Sequence, residues 1–375
     1  MYFGLSETQQ TIKNSAREFF TVECPMAEVR RLMESETACD DALWKKFAEQ
    51  GWTGIVFPET YDGFGLGLVD MAVAMEEMGR ALIPGPFIST VLVAGTIIEK
   101  TGSEEQKKKY LGAICRGEAK STLALLEKSA SWDPEAVRIE AKKTDGGYTL
   151  SGEKLFVSDA KGANFILVAA RVDGELAILL VPADAKGVGV TLMPGIDLTR
   201  RLYSISFENV FVPGENLLAR GAAAKAAIEA AHDVACVGLT AEMVGGMQRL
   251  LDLTVEYAKT RKQFGKPIGT FQAVQHQCAD MLFLLEGARS AAYYAAWALE
   301  ENQPDARSAV SVAKAYASEG YRDAGNHAIQ VQGGMGFTWE NDSHLYYRRA
   351  KGSETAFGDA TFHRERIAKV LIDSK

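Results

Sequence analysis

Two short segments in the last third of the chain place arginine, glutamine and glycine at the ends of long Ala/Leu-rich stretches with helical spacing. The first segment, residues 257–272, carries Arg261, Phe264, Gly265 and Gln272, and the second, residues 328–337, carries Gln330, Gly333, Gly334 and Gly336. Helix ends expose unpaired backbone N–H groups, and a guanidinium has a permanent charge, so both segments can bind a pyrophosphate or an adenine edge. Either segment alone would also suit a tight turn between helices. Together, and after a β-rich region, they predict a flavin site.

The composition is that of an ordinary globular chain. Its 375 residues are 47% hydrophobic and 24% charged, enough for about two or three subdomains. The net charge of −8 argues against nucleic acid or an anionic membrane as the main partner, and no apolar run is long enough to span a bilayer. The five cysteines and five histidines show no metal-ligand spacing, so we predict reduced thiols, a cytoplasmic protein and no metal.

The elements that must position these residues fall into three regions. Residues 1–120 are predicted to form a helical domain, whose first helix begins at Ser6 with a capping box. Residues 121–213 contain seven short, often β-branched runs separated by Asp-Gly turns, which predict an antiparallel β barrel or sandwich. These runs are Ser121–Leu126, Ala136–Lys142, Tyr148–Ser151, Phe165–Arg171, Leu176–Val181, Val188–Met193 and Tyr203–Phe207.

Residues 214–375 return to helical spacing. Four long helices with short connections predict an up-and-down bundle. They are expected at Ala222–Arg261, Phe271–Glu301, Ala306–Gln330 and Ser343–Ile372. The predicted fold class is therefore α+β, with an N-terminal helical domain, a central antiparallel β barrel or sandwich and a C-terminal four-helix bundle.

This order of domains, with the two glycine-containing motifs, resembles the acyl-CoA dehydrogenase family over essentially the whole chain. The loop from Phe57 to Gly65 matches the family's N-terminal loop, and the Arg261 and Gln330 segments match its two bundle motifs. Segments at residues 84–90, 199–201, 344–349 and 357–359 resemble one branch in particular. That branch contains the small subunits of pimeloyl-CoA dehydrogenase-like pairs and the actinobacterial steroid side-chain enzymes.

The resemblance implies FAD as cofactor and α,β-dehydrogenation of an acyl-CoA thioester, with hydride transfer to flavin N5. It also implies a site built across a subunit interface, hence a homotetramer, and an electron acceptor such as an electron-transfer flavoprotein. The cofactor-binding residues implied are Leu126, Phe156, Ser158, Arg261, Phe264, Gln272, Gln330, Gly333, Gly334 and Asp359. The substrate-binding residues implied are Trp132, Asp233 and Phe357.

Several positions depart from the family pattern around the flavin and the thioester. Leu126 stands where the family has a threonine whose hydroxyl bonds the flavin, and Trp132 replaces a small residue. Phe156 stands for a tryptophan that covers the isoalloxazine, and Ser158 keeps the hydroxyl beside it. These changes affect substrate placement more than FAD binding.

The family's catalytic glutamate is missing from both of its usual positions, which are occupied by Phe357 and Ala235. A general base contributes about 10²–10⁴ to rate, so its loss matters. Three alternatives follow. In the first, the base is Asp359, two residues after Phe357, or Asp233, two residues before Ala235. In the second, the chain is the non-catalytic half of a heterotetramer with a Glu-bearing paralogue. In the third, the reaction differs, as in a flavin oxidase of the same fold with its acid–base group elsewhere.

Other charged residues offer weaker candidates. Glu127 and Glu354 are carboxylates near the departures, although each also suits a structural role. The pairs Arg200–Arg201 and Arg348–Arg349 are the densest basic pairs that could meet CoA phosphates, or they could equally form a solvated or subunit-facing patch.

Overall fold

The structure, a computed structural model, describes residues 4–372 and divides into two units. The helical unit comprises the chain up to Arg30, Leu68–Ile83 and the chain from Cys236 onward; the sheet unit comprises Arg31–Gly67 and Pro84–Ala235. The three-domain boundaries given by the sequence stay a prediction.

The helices are α1 (Glu7–Glu23), α2 (Met26–Met33), α3 (Asp41–Glu49), α4 (Leu68–Arg80), α5 (Thr96–Thr101), α6 (Glu104–Gln106), α7 (Gly112–Cys115), α8 (Gly221–Thr260), α9 (Gln272–Glu300), α10 (Ala306–Gln332), α11 (Ser343–Thr355) and α12 (Ala360–Ile372). The helices α8, α9 and α10 have bounds close to those predicted, while several of the shorter helices were not predicted. The capping box at Ser6 is present, since its hydroxyl accepts from the Gln9 amide and the Gln9 side chain accepts from the Ser6 amide.

The strands confirm the seven predicted runs and add an eighth in the same sheet. They are β1 (Ser121–Ala124), β2 (Glu140–Thr144), β3 (Gly147–Ser158), β4 (Phe165–Val172), β5 (Glu175–Pro182), β6 (Val188–Met193), β7 (Leu202–Pro213) and β8 (Leu217–Arg220), with a separate small hairpin of β9 (Lys262–Gln263) and β10 (Lys266–Pro267).

The central sheet is open rather than closed. Its strand order is β6-β7-β3-β2-β4-β5-β8, with β1 paired to β4, so among the described residues β6 and β8 form separate edges. The pairs β1/β4 and β2/β4 are parallel and the other pairs of this sheet are antiparallel. The barrel alternative was therefore wrong in its closure: in the part of the chain that the structure describes, β6 is paired with β7 and β8 with β5, and β6 and β8 are not paired with each other.

The helical unit is built on small side chains. Buried alanines recur on α9 at positions 288, 292 and 295, and on α10 at positions 309, 313 and 317, and this spacing puts each set on one helix face. Small residues allow the two long helices to approach closely, and α10 also packs on α11 and α12. The unit thus supplies the predicted bundle.

One predicted helix is broken. The run expected over residues 343–372 is two helices, α11 and α12, separated by a turn at residues 356–359. Phe357 and Gly358 have φ angles of 56° and 94°, which are left-handed and cannot continue a right-handed helix. The turn is the position at which the family's glutamate was expected.

Candidate functional site

The loop after α8 presents Arg261 and Phe264 to solvent. Phe264 is 93% exposed with a left-handed φ of 53°, and its ring meets Phe271 edge to face at 6.0 Å. Within residues 4–372 the Arg261 guanidinium has no hydrogen-bond or ion-pair partner. An exposed aromatic ring and a free guanidinium, both held by a short hairpin, are suited to a ligand from outside the unit.

The end of α10 presents a second open surface. Gln330 is exposed, and a Cβ built on Gly333 or Gly334 would meet no atom within 4 Å. The neighbouring Gln332 is instead buried, with its amide nitrogen 2.8 Å from Ser343 Oγ and its oxygen 2.9 Å from Asn341 Nδ2. The loop is therefore fixed from inside while its glycine backbone stays accessible. Gln272, at the start of α9, is also exposed.

In the sheet unit the predicted flavin contacts differ in exposure. Phe156 is 41% exposed with a left-handed φ of 54°, and Ser158, two residues on, is partly exposed. Leu126 is only 6% exposed, and its carbonyl accepts from the Leu155 amide at 2.9 Å. Leu126 thus fills the core beside the strand, whereas Phe156 and Ser158 are accessible.

Glu127 is fully engaged in a structural network. Its Oε1 lies 2.8 Å from Nζ of the buried Lys154, and its carboxylate also accepts from the amides of Arg138 and Ile139. Burial raises the pKa of Glu127, but the hydrogen bond and charge of Lys154 and the hydrogen bonds from the amides of Arg138 and Ile139 together outweigh it, so this pKa lies below its ordinary value. An ionised carboxylate with these partners is a poor candidate for a general base.

The α8 segment beside the second glutamate position is buried. Ala235 is 0% and Asp233 3% exposed. Asp233 Oδ1 lies 3.7 Å from Nδ1 of His232, whose ring packs against Trp132 at 5.8 Å. The predicted substrate residues Trp132 and Asp233 are therefore linked through His232, which the sequence analysis did not single out.

The turn after α11 contains the other two predicted residues. Asp359 is exposed, and its Oδ1 accepts from the Phe362 amide at 2.8 Å, which caps α12. Phe357 is partly buried, and its carbonyl oxygen lies 3.0 Å from His363 Nε2.

A buried lysine that sequence reasoning missed meets this turn. Lys314 on α10 is 0% exposed, and its Nζ donates to the carbonyl oxygen of Gly358 at 2.8 Å. Burial lowers the pKa of Lys314 from 10.5 to about 8. In the sequence, Lys314 stands out only as a charged residue among the alanines that α10 buries.

The basic pairs proposed for CoA are largely structural. Arg349 is 1% exposed and pairs with Glu242 at 2.5 Å, while Arg201 donates to the backbone carbonyls of Met33 and Ser35. Glu354 accepts from Arg322 at 2.7 Å. Arg349 and Arg201 are therefore occupied inside their own units.

Comparison with known proteins identifies the class. Profiles of the acyl-CoA dehydrogenase N-terminal, middle and C-terminal domains match residues 6–118, 122–210 and 225–372. The protein named "Probable acyl-CoA dehydrogenase YngJ" of Bacillus subtilis is 32% identical over 384 residues, which cover 99% of this chain and 100% of its own. The chain belongs to the acyl-CoA dehydrogenase family, and it is accordingly a flavoprotein oxidoreductase of acyl-CoA.

Two solved structures are similar over nearly the full length. The ChsE4–ChsE5 complex from Mycobacterium tuberculosis matches with a TM-score of 0.91 and 27% identity, covering 100% of both chains. The structure described as "PigA with FAD and proline" matches with a TM-score of 0.92 and 28% identity, covering 99% of both chains. Within the described residues no helix is long and apolar enough to cross a membrane.

Proposed function

We propose that the chain binds FAD and catalyses α,β-dehydrogenation of an acyl-CoA thioester. The observation that carries the proposal is the set of accessible groups at the ends of α8 and α10. Arg261 has a guanidinium without a partner in residues 4–372, and Gly333 and Gly334 leave open space at their backbone. This combination of cation and bare backbone fits a dinucleotide.

Six of the predicted cofactor residues have roles at the dinucleotide part of FAD in this proposal. Arg261 neutralises phosphate charge, and Phe264 packs against the adenosine. Gln330, Gly333 and Gly334 approach the adenine-dinucleotide end, and Gln272 the ribityl–pyrophosphate region. All of these side chains and glycines are exposed on the helical unit, which favours contact with the flavin of a neighbouring subunit.

FAD would supply the acceptor for the substrate's hydride. From the sheet unit, Phe156 offers an accessible ring to cover the isoalloxazine, and Ser158 a hydroxyl to hydrogen-bond it. Leu126 contributes only apolar packing, because it has no side-chain donor and is buried. Trp132 and Asp233 are proposed to shape the acyl-CoA side, with His232 holding both in place.

The chemistry also requires a proton acceptor for the α-proton. Phe357 and Ala235 cannot accept a proton, and we propose Asp359 or Asp233 in their stead. Asp359 is accessible, and its carboxylate accepts a hydrogen bond from the Phe362 amide. Asp233 is 3% exposed and lies beside His232, which could relay a proton.

A second candidate is a non-catalytic subunit of a heterotetramer that completes a partner's site. It is favoured by the same missing glutamates and by the capping role of Asp359. The similarity to a complex of two different named proteins, ChsE4 and ChsE5, supports it further. In that case the Arg261 and Gln330 segments would still contact flavin, but in the Glu-bearing partner.

The visible spectrum of the purified protein tests these candidates. A bound flavin that an acyl-CoA bleaches without air supports a dehydrogenase passing electrons to an acceptor such as an electron-transfer flavoprotein. Rapid recovery of colour with O₂ would identify an oxidase. A homomer that acyl-CoA never bleaches, but that restores bleaching when mixed with a Glu-bearing paralogue, would support the heteromeric subunit.

A further inference from the structure

The ammonium of Lys314 ties the end of α11 to the turn that follows it. Nζ lies 3.2 Å from the carbonyl oxygen of Ser353, 3.3 Å from that of Glu354, 2.8 Å from that of Gly358 and 2.9 Å from Ser318 Oγ, so its three N–H groups are shared among four acceptors. The last carbonyls of a helix lack partners within the helix and lie at the negative end of its dipole. A buried cation is costly unless such acceptors surround it. Lys314 and the turn therefore depend on each other.

A second buried group holds the preceding carbonyl of the turn. His363 is 0% exposed, and its Nε2 lies 3.0 Å from the carbonyl oxygen of Phe357. Because a carbonyl only accepts, the hydrogen bond requires the proton on Nε2. Cys236 Sγ lies 3.9 Å from the same oxygen. The consecutive carbonyls of Phe357 and Gly358 are thus each bound by a different buried side chain, one from α12 and one from α10.

The backbone that these groups hold is unusual. Phe357 has a φ of 56° and Gly358 a φ of 94°, and a left-handed φ is rare for a bulky residue such as phenylalanine. Such conformations persist only where the surroundings determine them strongly. A Cβ at Gly358 would lie 2.3 Å from the Phe362 ring, so the turn also has little steric freedom.

We propose that Lys314 and His363 are positioning residues that fix the α11–α12 turn and thereby direct the side chain at position 357. The inference rests on the proposed function, because position 357 faces the reacting thioester only if the chain binds acyl-CoA as proposed. It extends that function by naming two groups outside the flavin and substrate contacts. They act through the backbone alone and touch neither reactant.

Amide hydrogen exchange tests the positioning role without turnover. Lys314→Met removes the donors at similar side-chain length. The amides of Gly358, Phe362 and His363, which bond to Thr355 O, Asp359 Oδ1 and Asp359 O, report on the turn. In Lys314→Met these amides are expected to exchange about ten- to a hundredfold faster than in the native protein, because a charge-assisted hydrogen bond is lost. The exchange rates of the amides in α9 are expected to change little.

Lys154→Met is the matched control, because Lys154 is an equally buried lysine that bonds to Leu125 O and Glu127 instead. It is expected to leave the turn amides unchanged. Turn amides that keep wild-type rates in Lys314→Met, or that accelerate no more than α9, would overturn the proposal.

A second pair of variants keeps the test decisive if Lys314→Met does not fold. His363→Gln retains an amide donor for the Phe357 carbonyl, whereas His363→Leu removes it. The turn amides are expected to exchange more slowly in His363→Gln than in His363→Leu. Equal exchange rates in the two variants would count against the role of His363.

A functional comparison separates this inference from the proposed activity. If Phe357→Glu raises the rate of acyl-CoA turnover, adding Lys314→Met to that variant should remove the increase. Any increase produced by Ala235→Glu, on α8, should survive when Lys314→Met is added. Loss of both gains would indicate a general effect and oppose the positioning role. If neither glutamate variant turns over, the proposed function fails, and the exchange rates still decide the role of Lys314.

Discussion

The carboxylate of Asp359 accepts a hydrogen bond from the Phe362 amide at 2.8 Å and so caps α12 just beyond the position of the family's glutamate. The nearest carboxylate to that position along the following chain therefore has a structural use already. Capping and proton abstraction need different properties of the side chain, because an amide can cap a helix but cannot accept a proton at neutral pH. The two roles can be separated by substitution.

Asp359→Asn is expected to preserve the cap and to change the free energy of unfolding by less than about 0.5 kcal/mol, whereas Asp359→Ala should lower it by about 1 kcal/mol. Urea denaturation of the three proteins measures both values. If Asp359→Asn keeps its stability but abolishes turnover that the native protein has, Asp359 carries the proton or positions the group that does. If turnover is unchanged, only the cap matters.

Arg261→Ala is expected to weaken FAD binding by about one to two orders of magnitude, since a charge-assisted pair contributes about 1.5–3 kcal/mol. Calorimetric titration of the apoprotein with FAD measures the affinity. Lys262→Ala, at the next exposed position, is the control and should have a much smaller effect. Equal flavin retention in the native protein and Arg261→Ala would show that this motif does not bind the phosphates.

The accessible Arg261 and Gln330 segments also predict an oligomer, most simply a tetramer arranged as a dimer of dimers. Light scattering coupled to size exclusion should give a mass several times the 40.7 kDa of one chain. Arg261→Ala should lose flavin without necessarily losing this mass. A 40.7 kDa species that keeps full FAD occupancy would contradict an interfacial flavin site.

The buried Lys314 predicts a pH dependence of stability. Burial lowers its pKa from 10.5 to about 8, and the carboxylates of Asp359 and Glu354 oppose that shift. Between pH values of about 8 and 10.5, the unfolded state binds more protons at Lys314 than the folded state does. The contribution of Lys314 to the free energy of unfolding therefore grows as pH rises through this interval and is lost as pH falls through it.

The size of this effect is at most about 3 kcal/mol, from 1.36 kcal/mol for each unit of pKa difference. Subtracting the unfolding free energy of Lys314→Met from that of the native protein should give a curve that rises over this interval. Lys154 has a similarly lowered pKa, but it is present in both proteins and cancels. A flat difference curve would mean that Lys314 is not desolvated in solution.

The features predicted correctly from sequence are those set by local interactions. The Ser6 capping box depends on Gln9, three residues away, and the strand runs are bounded by turns such as Asp173–Gly174, where β4 and β5 meet as a hairpin. Side-chain alternation and turn chemistry are encoded within a few residues. The eighth strand was missed because Leu217–Arg220 consists of good helix formers and leads directly into the alanine-rich helix α8.

The features that sequence could not give depend on distant partners. The stretch 343–372 has helical spacing, yet it breaks at a turn whose carbonyls at Gly358 and Phe357 are bound by Lys314 and His363, residues that a local pattern does not connect to it. Likewise, Arg349 has the pattern of a phosphate ligand until burial pairs it with Glu242. A one-dimensional pattern shows which residues carry charge, but it does not show which charges are neutralised inside the fold.

The missing glutamate gives the last prediction. Because Phe357 and Ala235 occupy both usual positions, the purified homomer should be slow or inactive on straight-chain saturated acyl-CoAs. Phe357→Glu or Ala235→Glu should raise the rate if flavin and thioester are already placed correctly, by up to about 10²–10⁴, the usual contribution of a positioned general base. Anaerobic flavin reduction measures this rate apart from any electron acceptor.

The two variants need not respond equally. Position 357 is partly exposed in a turn with a left-handed backbone, whereas position 235 is 0% exposed within α8, where a carboxylate would be costly to ionise. We therefore expect Phe357→Glu to gain more near neutral pH. Phe357→Gln, of the same size but unable to accept a proton, is the control and should gain nothing. Rapid turnover by the native homomer that also survives Asp359→Asn and Asp233→Asn would instead locate the base at another residue, with His232, beside Asp233, as the next to substitute.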